Sequence, residues 1–294
     1  MTELMTHTLH ATGATLRYYV RGGLPDGGAG GPALFLIGSP MDASGFLTLA
    51  SYFTDRTVVT YDPRGTGRSS RTDGAAESTP EEHADDLRRV IEALGSGPVD
   101  VFASSGGAVN ALDLVARHPD LVRTLVAHEP PTAQVLPDRV AALEVCADIH
   151  TTYQRDGMGP AMAKFIAVAG RQGPFPADWA DEPAPDPALF GLPTEDDGSR
   201  DDPLLGQNMR GCTGYRPDLG ALRAATTRIV VAAGKESEGQ FPARAAAAVA
   251  DGLGTGLTLF PSHHGGFLGG EFGQQGEPEA FARTLREVLR PAGH

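Results

Sequence analysis

Ala103-Ser104-Ser105-Gly106-Gly107 stands between an apolar run at 99–103 (VDVFA) and a helix-like stretch at 108–116 (AVNALDLVA). A side chain carried at the tip of such a strand-to-helix turn holds its own backbone in a strained conformation. Strand and helix approach closely there, so the residues two before and two after must be small. Ala103 and Gly107 meet that demand. The pattern is G-x-S-x-G with Ala in place of the first Gly, and it puts Ser105 rather than Ser104 at the tip. Small-residue turns are common in strand-helix proteins, so the surrounding chain has to decide between this reading and a bland one.

Working outward, strand-like and helix-like segments alternate over the first 130 residues, the pattern of a mostly parallel sheet covered by helices. Residues 9–11 and 16–20 suggest an opening pair of strands. The runs 33–37 (ALFLI), 58–61 (VVTY), 99–103 and 122–127 (VRTLVA) read as short strands buried on both faces. A helix is expected to begin near Pro80: Thr79 can cap it, Pro80 suits the first helical position, and Glu82 stands where a capping box needs an acid. Its Leu87, Val90, Ile91 and Leu94 share one face.

After residue 131 the alternation stops. A helical stretch is expected at about 139–166, followed by an irregular acidic loop or lid from 174 to Pro203 that is rich in Pro, Asp and Glu. The earlier grammar resumes at 228–233 (RIVVAA), with an Ala-rich helix at 243–253, a last strand at 257–260 (LTLF) and an amphipathic helix at 278–289. The expected architecture is α/β, a mostly parallel eight-stranded sheet flanked by helices. Residues 1–131 and 221–294 form the core, and 132–220 form an inserted, mainly helical cap.

Three further segments follow strands. Ile37-Gly38-Ser39-Pro40 ends the run at 33–37 and in isolation is a plausible Gly-Pro turn. Asp62-Pro63-Arg64-Gly65-Thr66-Gly67-Arg68-Ser69 contains Gly-x-Gly but lacks both G-x-x-x-x-G-K-[ST] and the full G-x-G-x-x-G, so it reads as structural rather than nucleotide-binding. Pro261-Ser262-His263-His264-Gly265-Gly266-Phe267 follows the last strand. Neither histidine has the helix-borne spacing of a metal site, and a lone His is more often a surface or core residue than a functional one.

Taken together, these four segments resemble the α/β-hydrolase superfamily, specifically its cap-bearing esterase, C–C hydrolase and haloalkane dehalogenase-like branch. The resemblance covers about residues 7–290 and is weakest across the cap. It implies Ser105 as nucleophile, the peptide N–H groups of Ser39 and Gly106 as an oxyanion hole, and a base from the segment after the last strand. Relatives often read Gly-Gly-His-Gly-Gly-Phe around the base, which maps it onto His264 and leaves His263 as its neighbour. They usually carry His before the oxyanion-hole Gly; Ile37 stands there here, which loses a loop-anchoring hydrogen bond but no catalytic group.

The carboxylate that would hold the base's tautomer is open. Its usual place follows the strand at 228–233, where Glu236 is nearest and Glu238 stands behind it. Another place used in dehalogenase-like members is the end of the strand at 122–127, where Glu129 stands. Glu129 and Glu236 weigh equally, and either could be a bland solvated or capping residue.

The implied reaction is hydrolysis of an ester-like bond (ester, thioester or lactone) through an acyl-enzyme on Ser105, with no cofactor and no metal. Dehalogenases and epoxide hydrolases of the superfamily use Asp at this position, so Ser105 argues against both. A C–C bond hydrolase or a cofactor-free perhydrolase would keep the same Ser and His. A non-catalytic ligand-binding or receptor-like homologue is a reading of another class. Met158, Met162, Phe165, Phe175, Trp179 and Met209 are candidates to line an apolar pocket, although such residues are more often core.

Composition narrows the partners. Asp plus Glu number 37 against 24 Lys plus Arg, and the net charge of −13 would repel a phosphate backbone or an anionic bilayer. A small-molecule substrate is expected, without nucleic acid or membrane, and monomer or homo-oligomer is left open. No apolar run nears the ~20 residues of a membrane span. The N-terminus, with Glu3 and no Lys or Arg before Arg17, does not read as a secretion signal, so a cytoplasmic location is expected. Cys146 and Cys212 read as buried reduced thiols, with pairing as the alternative.

Overall fold

The computed structural model describes residues 4–22, 31–179 and 182–290. Glu3, Ala180 and Asp181 of the acidic stretch, and the outermost residues of the expected core bounds lie outside these. Strands β1 (Leu4–Ala11) and β2 (Ala14–Arg21) form an antiparallel hairpin, longer than the expected strand pair, with Leu9 opposite Leu16. There follow β3 (Leu34–Ile37), a short helix α1 (Leu47–Ser51), β4 (Val58–Asp62), β5 (Ser70–Arg71), α2 (Pro80–Leu94), β6 (Val99–Ser104), α3 (Gly106–Arg117) and β7 (Val122–His128). Helices α4 (Arg139–Asp156), α5 (Met158–Gly170), α6 (Met209–Gly214) and α7 (Leu219–Ala224) precede β8 (Arg228–Gly234), α8 (Phe241–Leu253), β9 (Thr258–Phe260) and α9 (Pro278–Leu289).

The sheet runs β1-β2-β4-β3-β6-β7-β8-β9 and is parallel from β4 onward. A ninth strand, β5, pairs only with Ala14 and Thr15 of β2. Two residues are too few to print an apolar pattern, which is why eight strands are legible and nine are present among the described residues. Side chains alternate between the two faces, as pleating requires. Phe35, Ile37, Val101, Ala103, Leu125 and Ala127 join one apolar cluster with α2, α3 and α8. Leu34, Leu36, Phe102 and Val126 point the other way, into a cluster completed by Phe281, Leu285 and Leu289 of α9.

Helix α2 starts as its residues dictate, with the Thr79 side chain and Glu82 forming a reciprocal capping box and Pro80 in the first turn. The stretch expected as one helix at 139–166 is two, broken at Gly157, whose φ of +85° is a conformation disfavoured for L-residues. A Cβ there would meet the Asp196 carboxylate at 2.3 Å, so a larger residue would also have to displace that side chain. The acidic stretch after α5 is mostly irregular, with a 3₁₀ turn at Pro187–Phe190. None of the described helices is long and apolar enough to cross a membrane.

The Asp62–Ser69 loop is an anchor. The Asp62 carboxylate accepts the N–H groups of Ala43 (3.1 Å) and Arg68 (2.9 Å) and the Tyr19 hydroxyl (2.9 Å). Arg64, itself buried, grips buried Asp86 of α2 with two bonds of 2.8 Å and reaches Glu82 at 3.1 Å. Such a pair is intolerant of losing one member, because the remaining charge has no water to turn to. Asp86→Ala is therefore expected to cost about 3–5 kcal/mol in urea unfolding. Replacing both as Arg64→Met with Asp86→Leu should recover most of that loss; equal losses in both variants would refute the coupling.

Candidate active site

Strand β6 is buried over its full length between β3 and β7. Its apolar alternation carries the chain to Ser105, whose backbone (φ 57°, ψ −130°) is strained for a residue with a side chain. Neighbouring elements hold it there: its N–H donates to the His128 carbonyl (3.0 Å), and its own carbonyl accepts from Ala108 (2.9 Å). The two following glycines are sterically required. A Cβ on Gly106 would stand 2.6 Å from the Ser39 carbonyl oxygen, and one on Gly107 would stand 2.8 Å from Gly38 Cα. The Ile37–Pro40 loop is thereby pressed against the start of α3. Gly106 lies in the first turn of α3, where peptide N–H groups have no intrahelical acceptor.

Ser39, Gly106, Ser105 and His264 all face one cavity of about 280 Å3, so the four positions expected to act together are brought together. His264 Nδ1 lies 2.5 Å from Glu129 Oε2. Glu129 is wholly buried, while 39% of the His264 side chain is exposed. The second Glu129 oxygen accepts the Gly234 N–H at 2.8 Å. Burial opposes ionisation of Glu129, but the hydrogen bond and charge of His264, with that N–H, prevail and lower its pKa to about 2. Glu129 also has a positive φ, 49°, as does Ser262 (66°), so strain recurs at three loop tips around the site.

Glu236 and Glu238 are exposed and take no part in this arrangement. The backbone N–H of Glu236 donates to the Ser262 carbonyl, so that loop supports the His264 segment through its main chain. His263 turns to the backbone instead, with Nε2 3.1 Å from the Gln275 carbonyl oxygen and Nδ1 accepting the Gly265 N–H.

Of the six apolar candidates for the pocket, Phe165 and Met209 face it; Met158, Met162, Phe175 and Trp179 belong to the cluster formed by α4, α5 and α8. Cys146 and Cys212 are unpaired, buried, and both face the cavity. Burial raises their thiols to about 11 and about 12, so they are protonated near neutral pH.

Two residues with no motif around them also belong to the site. Asn208 ends a π-helical turn (Pro203–Asn208), faces the cavity and is buried. Its Nδ2 donates to the Pro203 carbonyl (2.8 Å), which orients the amide so that Oδ1 accepts from His83 Nε2 (2.7 Å) and, more loosely, from the Ser39 hydroxyl (3.4 Å). The segment between β7 and β8 is thus tied to the Ser39 loop. The only available sequence signal was His83 itself, a polar residue among the apolar positions of α2. His128 packs among Phe102, Phe260 and Phe281, one residue from Glu129.

A family model for the alpha/beta hydrolase fold matches residues 28–152. The uncharacterized hydrolase YraK of Bacillus subtilis (strain 168) is 30% identical over 268 residues, 88% of this chain and 89% of that protein. The 2-(acetamidomethylene)succinate hydrolase of Mesorhizobium japonicum is 30% identical over 152 residues, 51% of this chain and 52% of its own. Among solved structures, the enol-lactonase from Burkholderia xenovorans LB400 superposes with a TM-score of 0.66 at 18% identity, covering 96% of this chain and 99% of that one. At that identity the fold is what is shared.

Burial lowers the pKa of both His83 and His128 to about 4. The unfolded chain takes up these protons near pH 6.5 and the folded chain does not, so stability falls as pH drops from 6.5 towards 4. At pH 5 each histidine should cost about 2 kcal/mol relative to pH 7. Urea unfolding of His128→Phe should show a pH 7 to pH 5 difference smaller than wild type by about that amount. An unchanged difference would mean that His128 is not held neutral.

Proposed function

We propose, from the premise that this chain belongs to the α/β-hydrolase family, that it is a serine hydrolase which cleaves an ester-like bond of a small organic substrate through an acyl-enzyme on Ser105. Ser105 Oγ attacks the carbonyl carbon while His264 Nε2 takes its proton. Negative charge then develops on the former carbonyl oxygen, which the N–H groups of Ser39 and Gly106 receive. Collapse of that adduct breaks the bond to the leaving group, which departs with the proton from His264. A water molecule deprotonated by His264 then hydrolyses the acyl-enzyme and returns Ser105 to its starting state.

In this reading Glu129 is the third member. It is an anion in a buried position, hydrogen-bonded to Nδ1, so it keeps Nε2 free to accept a proton and stabilises the imidazolium that results. The observation that supports the reading most is that His264, paired with Glu129 at 2.5 Å, and the strained Ser105 face one cavity. The helical segment between β7 and β8 supplies much of the cavity wall and acts as its cap. The relatives' names, two hydrolases and an enol-lactonase, agree on hydrolysis.

A fluorophosphonate probe should label wild type on Ser105, as located by mass spectrometry, and should not label Ser105→Ala; an unlabelled wild type favours the ligand-binding reading instead. With p-nitrophenyl butyrate, Glu129→Gln should lower kcat by about a thousandfold to ten-thousandfold, whereas Glu236→Gln should stay within about twofold of wild type. The reverse pattern would move the acid to Glu236.

A further inference from the structure

The wall of the cavity is mainly apolar, with the amides of Asn208, Gln240 and Gln274 and the Thr213 hydroxyl among its polar groups. Ile149, Phe165, Val168, Leu204, Met209 and Phe241 supply most of it. No Asp, Glu, Lys or Arg shares the wall; its polar side chains are those of Ser, Thr, Asn, Gln, Cys and His264. Several are already engaged: Asn208 uses its amide on Pro203, His83 and Ser39, and the Thr213 hydroxyl donates to the Met209 carbonyl.

All 24 Lys and Arg residues of the chain fall among the described residues, and none lines the cavity. Four of them stand within two positions of lining residues, and each is directed elsewhere. Lys164 pairs with Asp148, Arg210 with Glu77 and Arg244 with Asp138, while Arg171 lies over the Trp179 ring. The nearest fixed charge to the reacting centre is Glu129, an anion without solvent exposure. A carboxylate drawn into this cavity would lose its water, gain no cation and feel a like charge behind the imidazole. A hydrocarbon chain would lose only unfavourable contact with water.

Building on the serine-hydrolase reading, we infer that the site selects neutral substrates with an apolar acyl group of several carbons and rejects those carrying a carboxylate on the acyl chain. The chain's net charge of −13 acts in the same direction at longer range, by lowering the local concentration of anions.

The test uses wild-type protein and five p-nitrophenyl esters: acetate, butyrate, hexanoate, the adipate monoester with its free carboxylate, and the same adipate capped as a methyl ester. The last two match in length and differ in charge. We expect kcat/KM to rise from acetate to hexanoate by up to about fourfold per methylene, the equivalent of ~0.8 kcal/mol buried. The methyl-capped adipate should exceed the free acid by about a hundredfold or more. The inference is overturned, with the hydrolase reading intact, if the two adipates lie within threefold of each other or if acetate matches hexanoate. It is likewise overturned if no ester is cleaved although fluorophosphonate labels Ser105. If no ester is cleaved and Ser105 is not labelled, the hydrolase reading falls and this inference falls with it.

Discussion

The close approach of two backbones, the Gly38–Ser39 loop against the first turn of α3, is the constraint on which the site's geometry rests. The distances leave no room for a Cβ at Gly106 or Gly107, so peptide groups from two separate loops are held side by side. The same compression carries Ser105 into its positive-φ conformation. Strain of that kind is on the order of 1–3 kcal/mol per residue and persists only where the surroundings over-determine the conformation. Here they do: β6 is buried along its whole length before the turn, and α3 is buried through most of its length after it.

Electrostatics supply the second layer. An ionised carboxylate in a buried position is stable only with partners that replace its water. Glu129 has two, the imidazole of His264 and the peptide N–H of Gly234, and its own main chain is tied to Ala232. Both the pairing strand β8 and the loop carrying His264 therefore close around one acid at the end of β7. The neutral, buried His128 beside it keeps a second positive charge away from the pair near neutral pH. Asn208 joins the segment between β7 and β8 to the Ser39 loop, so displacement of that segment would be felt at that loop.

Much of this was legible in the residues. The buried strands were runs of Val, Leu, Ile and Phe, and the start of α2 declared itself through Thr79, Pro80 and Glu82. Ser105, Gly106 and Ser39 were legible because their turns follow strands, and turn chemistry is local. The pairing of His264 was harder. Glu129 and Glu236 both follow strands that end on the same side of the sheet, and only the three-dimensional course of the loops decides that one is buried beside the imidazole and the other faces water. The break at Gly157 was hidden because a single glycine is tolerated inside many helices. His83 and Asn208 were invisible as a pair, since 125 residues separate them and neither sits in a motif.

Because the contact with the imidazole comes from the end of β7, the turn that follows β8 is released from it. Lys235, Glu236 and Glu238 face solvent there, and Gly234 contributes only a main-chain group to the acid. Substitutions at those three positions can drift without disturbing the contact between Glu129 and His264. They are natural places to attach a reporter dye or a surface tether within sight of the pocket, provided that buried Ser237 between them is left alone.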